Sequence, residues 1–140
     1  MRFDNRTLDP RITEACLVAE RLLTSMSKMM IELEEKNDWK YNSGTGKEVY
    51  KKLNDYKEPI KVFTYKPFNP WTAAVGYFDG ESIHINIRKL PDMTVSDIIA
   101  NLCHEYSHYC GFTHGNNYKT QDKCLYSVPY YISENIPKWL

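Results

Sequence analysis

The amino-acid sequence predicts an α+β fold, because its hydrophobic periodicity changes along the 140 residues. Apolar residues recur every three or four positions in residues 12–33, which is typical of an amphipathic helix. They alternate at every second position within residues 60–88, which indicates strands. A mostly apolar, helix-compatible run follows over residues 95–103. The length and the element pattern together predict one domain over residues 1–140.

The first helix is predicted as one long element. Asp9 has the character of an N-cap, and Pro10 suits the first helical position. The apolar stripe that begins at Ile12 then continues for about six turns to a predicted end near Asn37. Its methionines are interpreted as core residues, since a flexible apolar stripe at helical spacing usually packs inside a domain.

A polar stretch follows, and it is interpreted as a loop that opens a short helix over residues 47–54. The run Gly44-Thr45-Gly46-Lys47 has some likeness to a phosphate-binding loop. That pattern requires glycine where Tyr41 stands and serine or threonine where Glu48 stands. A nucleotide site is therefore not predicted.

Three strands are predicted over residues 60–66, 72–78 and 82–88, forming a small mixed sheet. The last two are joined by Asp79-Gly80, a strong signal for a two-residue hairpin. After the strands, Thr94 and Asp97 have the spacing of a capping box. A second long helix is predicted to begin there and to run to about residue 110.

The most informative motif runs from His104 to His114 and reads His-Glu-x-x-His-x-x-Gly-x-x-His without a gap. His104 and His108 are four positions apart, so they share one helix face and can bind one metal ion. Glu105 projects beside that face as a base rather than a ligand. Gly111 suits the end of the helix, where the chain can turn and bring His114 back. Three imidazoles leave one tetrahedral position open, as in a catalytic zinc site.

This motif resembles the signature of the metzincin clan of zinc metallopeptidases, and the resemblance is tight over residues 104–114 and loose elsewhere. It implies a zincin-like fold of the short bacterial and phage type, with a long backing helix, an active-site helix and a C-terminal part, residues 112–140, that closes the cleft from below. It also implies that Zn²⁺ is bound by the three histidines and that Glu105 is the general base in hydrolysis of a peptide bond.

The resemblance also implies where the substrate lies. In zincins the strand before the last sheet strand borders the cleft, and an extended peptide adds to that edge through main-chain hydrogen bonds. Residues 72–78 occupy this position and contain small side chains that permit close approach. His84 falls in the next strand, on the opposite side from Ile83 and Ile85, and is expected on a sheet face rather than at a metal.

The chain departs from the family after the motif, because no methionine follows Met93. The segment Ser127-Val128-Pro129-Tyr130-Tyr131 resembles the Ser-x-Met-x-Tyr form of the metzincin Met-turn, with Pro129 in place of the methionine. In relatives with this turn, the closing tyrosine lies near the metal and can stabilise the developing oxyanion. That alignment makes Tyr131 the catalytic candidate, and Tyr130 the second because of a one-residue slip. Both could instead be packing aromatics.

Two other functions remain open. One is a zinc-binding or recognition module without catalysis, against which Glu105 argues, since a structural site needs no base. The other is a metal-dependent hydrolase of a non-peptide amide or ester. An accessible edge strand would favour a peptide or protein substrate, whereas a deep closed pocket would favour a small molecule.

Composition argues against several classes of protein. Lys plus Arg and Asp plus Glu are balanced at 18 each, which is unlike a nucleic-acid or anionic-membrane binder. No signal peptide, propeptide or apolar run of the roughly 20 residues that span a membrane is visible, so we expect a cytoplasmic protein. The four cysteines are too few for a disulfide scaffold. Cys103 and Cys110 are expected to be buried thiols, with a Cys110–Cys124 bridge as the alternative.

Overall fold

The computed structural model describes residues 1–41, 44–55, 58–115 and 126–140, which form a mixed α/β structure. Among them are five α-helices and a four-stranded mixed sheet, in agreement with the predicted α+β class. In chain order the elements are β1 Phe3–Asn5, α1 Pro10–Leu22, α2 Lys28–Glu35, α3 Gly46–Asn54, β2 Ile60–Tyr65, β3 Gly76–Phe78, β4 Ser82–Asn86, a 3₁₀ turn Leu90–Asp92, α4 Val95–Tyr109 and α5 Val128–Trp139. None of these helices has the length and apolar character needed to cross a bilayer.

The sheet has the order β1-β2-β4-β3, which places β3 at one edge. β1 and β4 both run parallel to the central strand β2, and β3 runs antiparallel to β4. The predicted mixed sheet and hairpin are therefore confirmed. Of the predicted strand over residues 72–78, only Gly76–Phe78 is regular strand. Ala74 and Val75 lie beside β4, because their carbonyls accept hydrogen bonds from Asn86.

The hairpin turn lies one residue later than the sequence predicts. The Asp79 amide donates to the Ser82 carbonyl at 3.1 Å, so Gly80 and Glu81 are the two turn residues. Gly80 has φ +100, a conformation that favours glycine. The carboxylate of Asp79 accepts from the amides of Glu81 at 2.8 Å and Ser82 at 2.7 Å, which fixes the turn.

The strand β1 was not predicted from the sequence. It has three residues and includes Asp4 and Asn5, residue types that are uncommon in strands. Its formation depends on pairing with β2, where Phe3 lies opposite Ile60. Local sequence carries little information about such a short parallel strand, because the stabilising partner is more than fifty residues away.

The prediction of one helix from Asp9 to near Asn37 is wrong, because the chain forms α1 and α2 with a break between them. Ser27 is the N-cap of α2 and accepts from the Met30 amide at 3.1 Å, while its hydroxyl donates to the Leu22 carbonyl. Serine hydroxyls compete with the helical backbone for hydrogen bonds. The predicted cap at Asp9 is confirmed, since its carboxylate accepts from the Arg11 amide.

The two faces of the sheet differ in chemistry. Val62, Ile83 and Ile85 are fully buried on the face that packs against the helices. His84 lies on the other face, where its ring stacks on Tyr77 with 4.8 Å between centroids. Its Nε2 atom is 2.7 Å from a carboxylate oxygen of Asp79. The expectation that His84 belongs to a sheet face is confirmed.

The cysteines in the described residues are buried. Cys103 is fully buried and Cys110 is 6 % exposed, as predicted for thiols on one face of α4. Burial raises the pKa of Cys103 to about 12, so its thiol stays protonated at neutral pH. Cys124 lies outside the described residues, and so does the alternative bridge to Cys110.

Candidate metal centre

The helix that carries the motif has a well-defined start. The Thr94 hydroxyl accepts from the Asp97 amide at 3.1 Å, and the Asp97 carboxylate accepts from the Thr94 amide at 2.8 Å. This is the predicted capping box, which satisfies two of the backbone groups that a helix leaves unpaired. α4 then packs against α1, α5 and β3. The last turns of α4 carry His104, Glu105 and His108.

The end of α4 turns the chain back toward the same face. Gly111 has φ +99, its amide donates to the His108 carbonyl at 2.9 Å, and the Phe112 amide donates to the Ser107 carbonyl at 3.0 Å. These two bonds define a Schellman motif, in which glycine supplies the left-handed residue. Phe112 is buried, which anchors the turn. The predicted role of Gly111 is confirmed.

The structure brings the three histidines of the motif together. One ligand atom from each of His104, His108 and His114 lies within 4.8 Å of the other two. The ring centroids are 5.0 Å apart for His104 and His108, 5.3 Å for His104 and His114, and 4.9 Å for His108 and His114. Three nitrogen ligands around one point match the protein ligand set of a catalytic zinc site.

The Nδ1 side of each ring has a partner on the protein. His108 Nδ1 lies 2.8 Å from the Phe112 carbonyl, and His114 Nδ1 lies 3.1 Å from the Gly115 carbonyl. His104 Nδ1 lies 3.4 Å from the Ser133 hydroxyl, and a backbone hydrogen bond also joins this ring to Pro129.

A carbonyl oxygen can only accept, so Nδ1 of His108 and Nδ1 of His114 are the donors, and Nε2 of these two rings remains available to bind a metal ion. Metal-binding histidines are usually oriented in this way. The donor set of the described residues therefore fits a metal ion by its chemistry as well as by its spacing.

The surroundings favour the neutral form of His104 and His108. Burial lowers the pKa of His104 to about 3, and repulsion from His108 and His114 adds to the effect. Burial also lowers the pKa of His108. Neutral imidazole is the form that binds a metal ion, because a protonated ring nitrogen has no lone pair to donate.

Glu105 lies in the same cavity as the histidines and is 7 % exposed. Burial raises the pKa of its carboxyl group to about 7, although a hydrogen bond from the Phe78 backbone acts in the opposite direction. A carboxylate with a pKa near neutrality can both accept and release a proton under physiological conditions. Its neighbour Phe78 belongs to the edge strand β3.

The two candidate tyrosines face different parts of the protein. The ring of Tyr130 lies 4.8 Å from the His104 ring and 4.4 Å from the His114 ring. The Tyr131 hydroxyl instead donates to the Glu32 carboxylate at 2.7 Å. The structure thus places the second candidate, Tyr130, beside the histidines, and it directs the first candidate, Tyr131, toward α2.

The two tyrosines face different ways because their segment begins a helix. Ser127 caps α5 and accepts from the Tyr130 amide at 3.4 Å. Successive residues of a helix are about 100° apart, so only one of two adjacent tyrosines can face the histidines. Pro129, which stands where the resemblance places a methionine, is buried and next to His104 through their hydrogen bond.

A cavity of about 1100 Å³ joins the histidines to the edge strand. It is open to solvent, and its walls come from α4, α5, β3 and the residues before β3 and α4. The contributing residues of the predicted edge segment are Ala73, Ala74, Val75, Gly76, Tyr77 and Phe78. The predicted position of this segment beside the motif is confirmed.

Two residues of the site were missed by the sequence analysis. Ser133 approaches His104 from α5, and no local signal connects it to the motif. Asn101 lines the cavity and is a polar residue in an otherwise apolar stretch of α4, four positions before Glu105. Its spacing from Glu105 is a signal that could have identified it, because residues four apart share a helix face.

Comparison with known proteins identified no relative of this chain. No protein-family model matches the chain, and neither the curated proteins nor the solved structures gave a match. The function is therefore inferred from the site itself. That site combines three imidazoles, a buried carboxyl group, a tyrosine ring and an exposed strand edge in one cavity.

Proposed function

We propose that the protein is a zinc-dependent metallopeptidase of the metzincin-like type. The observation that carries the proposal is the convergence of His104, His108 and His114 beside the buried carboxyl group of Glu105. A closed structural zinc site uses four protein ligands, whereas three ligands and an adjacent base suit hydrolysis.

In this proposal the histidines hold the metal through their Nε2 atoms. A bound Zn²⁺ supplies Lewis-acid activation of water and of the scissile carbonyl. The carbonyls of Phe112 and Gly115 keep the rings of His108 and His114 in place by accepting from Nδ1. Such outer partners typically change metal affinity by about 10–100-fold when they are removed.

Glu105 is the proposed general base. It accepts a proton from the attacking water and later transfers it to the leaving amine, a role that contributes roughly 10²–10⁴-fold to the rate. Burial raises the pKa of its carboxyl group, which favours holding the proton between the two steps. Glu105 follows His104 directly in the chain, so the helix holds the base and a ligand in a fixed relation.

Tyr130 is the proposed donor to the developing oxyanion. Its ring contacts the rings of His104 and His114, so its side chain borders the position where a carbonyl would be attacked. A hydrogen-bond donor aimed at that oxygen stabilises the transition state more than the ground state. This assignment transfers to Tyr130 the role that the family resemblance implies for the closing tyrosine.

The edge strand β3 is the proposed binding site for a peptide backbone. β3 pairs with β4 on one side and borders the cavity on the other. An extended peptide can add to such an edge through its own main-chain groups. This accessible edge favours a peptide or protein substrate over a small molecule. The antiparallel edge strand beside the motif helix also supports a zincin-like arrangement.

The proposal is tested with the zinc-reconstituted protein and a mixture of unbiased peptides. We expect cleavage by the wild type, at least a hundredfold lower cleavage by Glu105→Gln, and unchanged zinc content in that variant. Glu35→Gln, which makes the same change at an exposed position on α2, is the matched control and should keep full activity. A fully zinc-loaded wild type without cleavage, or a Glu105→Gln variant with wild-type rates, contradicts the proposal.

A further inference from the structure

The third histidine of the motif lies on a loop, whereas the other two lie on a helix. His104 and His108 belong to α4, so the helix fixes their relative positions. His114 follows the turn at Gly111 and is three residues beyond it. Buried Phe112 anchors the near end of this loop. The position of the third imidazole therefore depends on what holds residues 113–115.

Tyr41 contacts the chain on both sides of His114. The Thr113 hydroxyl donates to the Tyr41 carbonyl at 3.3 Å. The Tyr41 ring lies so close to Gly115 that a Cβ atom there would be 2.9 Å from the tyrosine hydroxyl oxygen and 2.9 Å from its Cε1 atom. Gly115 is also the residue whose carbonyl lies 3.1 Å from His114 Nδ1. Tyr41 thus contacts the residue before the ligand and the residue after it.

Gly115 is required here for space and not for its backbone conformation. Its φ lies outside the left-handed region, unlike that of Gly111 at +99. Any residue could adopt the backbone of Gly115, but a side chain there would collide with the Tyr41 ring. A glycine can serve in this way where two parts of a chain approach closely.

Tyr41 itself has an unusual backbone conformation. Its φ is +58, and it is the only residue other than glycine with a positive φ in the described ranges. Bulky residues seldom adopt this conformation, because it is sterically unfavourable. Such outliers persist only where the surrounding structure determines them, and they occur preferentially at functional sites. In this conformation the ring meets Gly115 and the carbonyl accepts from Thr113.

The residues just before Tyr41 are anchored to the body of the protein. Trp39 is 8 % exposed and belongs to the hydrophobic core. The Lys40 amide donates to the Tyr126 carbonyl at 2.8 Å, directly before Ser127, the N-cap of α5. Because its neighbours are held by the core and by the start of a helix, Tyr41 gives the loop around His114 a fixed surface to pack against.

We propose that Tyr41 is a positioning residue for His114 and holds this imidazole in place for the metal before the metal binds. The inference rests on the proposed function, because that proposal makes His114 a ligand. Preorganisation of a ligand raises metal affinity, since less conformational freedom is lost on binding. Tyr41 acts through Gly115 and Thr113 and does not itself bind the metal.

Zinc affinity measured by chelator competition tests the inference without any peptide substrate. Tyr41→Asn removes the ring and keeps the carbonyl, and asparagine tolerates the left-handed conformation. We expect its Kd for Zn²⁺ to rise about fivefold or more, toward the effect of removing an outer partner of a ligand. The melting temperature of the metal-free variant should stay near that of the wild type, because the substitution also relieves backbone strain.

Two further variants separate positioning from general stability. Tyr41→Phe keeps the ring against Gly115 and should bind zinc within about twofold of the wild type. Tyr50→Asn makes the same change at a half-buried tyrosine on α3, whose hydroxyl donates to the Ser25 carbonyl at 3.1 Å. It should lower the melting temperature and leave the zinc affinity unchanged.

Gly115→Ala tests the contact from its other side. The added methyl group displaces the Tyr41 ring, so the variant should also lose zinc affinity about fivefold or more. The double variant Gly115→Ala with Tyr41→Asn should bind zinc no more weakly than the weaker single variant, because both changes remove one contact. Residues that act through a shared contact are coupled in this way. Losses that multiply in the double variant would contradict the inference.

Cobalt substitution reports the ligand set directly. The visible absorption of the Co²⁺-loaded wild type and Tyr41→Phe should be the same, and Tyr41→Asn should show a different spectrum, because His114 is no longer held at the metal. A loss of zinc affinity below fivefold in Tyr41→Asn, or an equal loss in Tyr50→Asn, overturns the inference and leaves the metal site intact. A wild type that binds neither metal overturns the metal site and this inference together, whereas zinc binding without peptide cleavage contradicts only the peptidase function.

Discussion

The ring of Tyr130 lies 4.4 Å from the ring of His114, whereas the hydroxyl of the next residue, Tyr131, donates to Glu32 on α2. The two adjacent tyrosines therefore form a natural pair for mutagenesis. Tyr130→Phe should lower kcat tenfold or more, because losing a donor to an oxyanion typically costs about 3 kcal/mol. Its zinc content and melting temperature should stay near those of the wild type, as measured by metal analysis and calorimetry.

Tyr131→Phe should lower stability and leave kcat unchanged. It removes a hydrogen bond to the Glu32 carboxylate, which should lower the free energy of unfolding by roughly 1 kcal/mol. The rate constant kcat should be unchanged, because this hydroxyl is directed away from the histidines. If Tyr131→Phe lowers kcat while Tyr130→Phe does not, the assignment made from the structure is wrong.

The family resemblance predicts that one of these two tyrosines lies near the metal, but the sequence alone could not choose between them. That choice depends on where α5 begins, because a shift of one residue rotates the helix by about 100°. Ser127 sets the start, and the family pattern describes a turn at this place instead of a helix. The motif from His104 to His114 predicted the convergence of the three histidines correctly, because all three lie on one helix and the glycine turn that follows it.

Gly76 makes room for Asn101 where the edge strand meets α4. A Cβ atom at position 76 would lie 2.4 Å from Asn101 Oδ1 and 2.8 Å from the His84 carbonyl oxygen. Gly76→Ala should therefore destabilise the fold by about 1–3 kcal/mol, as overpacking usually does. It should also raise KM for peptides by displacing the strand edge. Denaturant unfolding and kinetics measure both effects.

The double variant Gly76→Ala with Asn101→Ala provides the control for this prediction. Removing the amide should recover part of the lost stability, since residues in direct contact are coupled. The recovery should be incomplete, because the His84 carbonyl is a backbone group and remains in place. A Gly76→Ala protein with wild-type stability would contradict this prediction, because it would show that the strand edge can shift to accommodate the added Cβ atom without destabilising the fold.

Ser27 is predicted to maintain the break between α1 and α2. Ser27→Ala removes the side chain that accepts from the Met30 amide, and loss of an N-cap typically costs about 1 kcal/mol. Ser25→Ala is a matched control two residues earlier and should change the free energy of unfolding by less than about 0.5 kcal/mol. Equal effects of the two variants in thermal unfolding would contradict a capping role for Ser27.

This break also explains why the helical periodicity was misleading. The apolar residues that pack in the core from Ile12 to Leu33 keep nearly helical spacing across the break, so the pattern alone continues through it. The serine and threonine residues between Leu23 and Lys28 indicated a helix boundary, because such residues favour capping positions. The N-cap hydrogen bond of Ser27 therefore determines the structure here, although the apolar spacing alone predicts a continuous helix.

The carboxyl group of Asp79 should make the hairpin sensitive to acid. Hydrogen bonds from the Ser82 and Glu81 backbone amides lower the pKa of this group, and the His84 ring adds to the effect. A lowered pKa means that the stabilisation is present above the unfolded-state value of about 3.9 and is lost as pH falls through the folded-state value. Asp79→Ala should lower the melting temperature at pH 7 by more than it does below pH 4.

Asp55→Ala, the same change at an exposed position after α3, is the control for this experiment. Its effect on the melting temperature should be small and should not depend on pH in this range. A difference between wild type and Asp79→Ala that stays constant from pH 3 to pH 7 would exclude ionised Asp79 as the stabilising form.

The central claim is that His104, His108 and His114 bind one zinc ion, and X-ray absorption at the zinc edge tests it most directly. The measurement uses purified protein reconstituted with one equivalent of Zn²⁺. The account predicts three imidazole nitrogens and one further light atom at about 2.0–2.1 Å, and loss of this imidazole signal in His108→Ala. A sulfur shell at about 2.3 Å, or tight binding that survives His108→Ala unchanged, would contradict it.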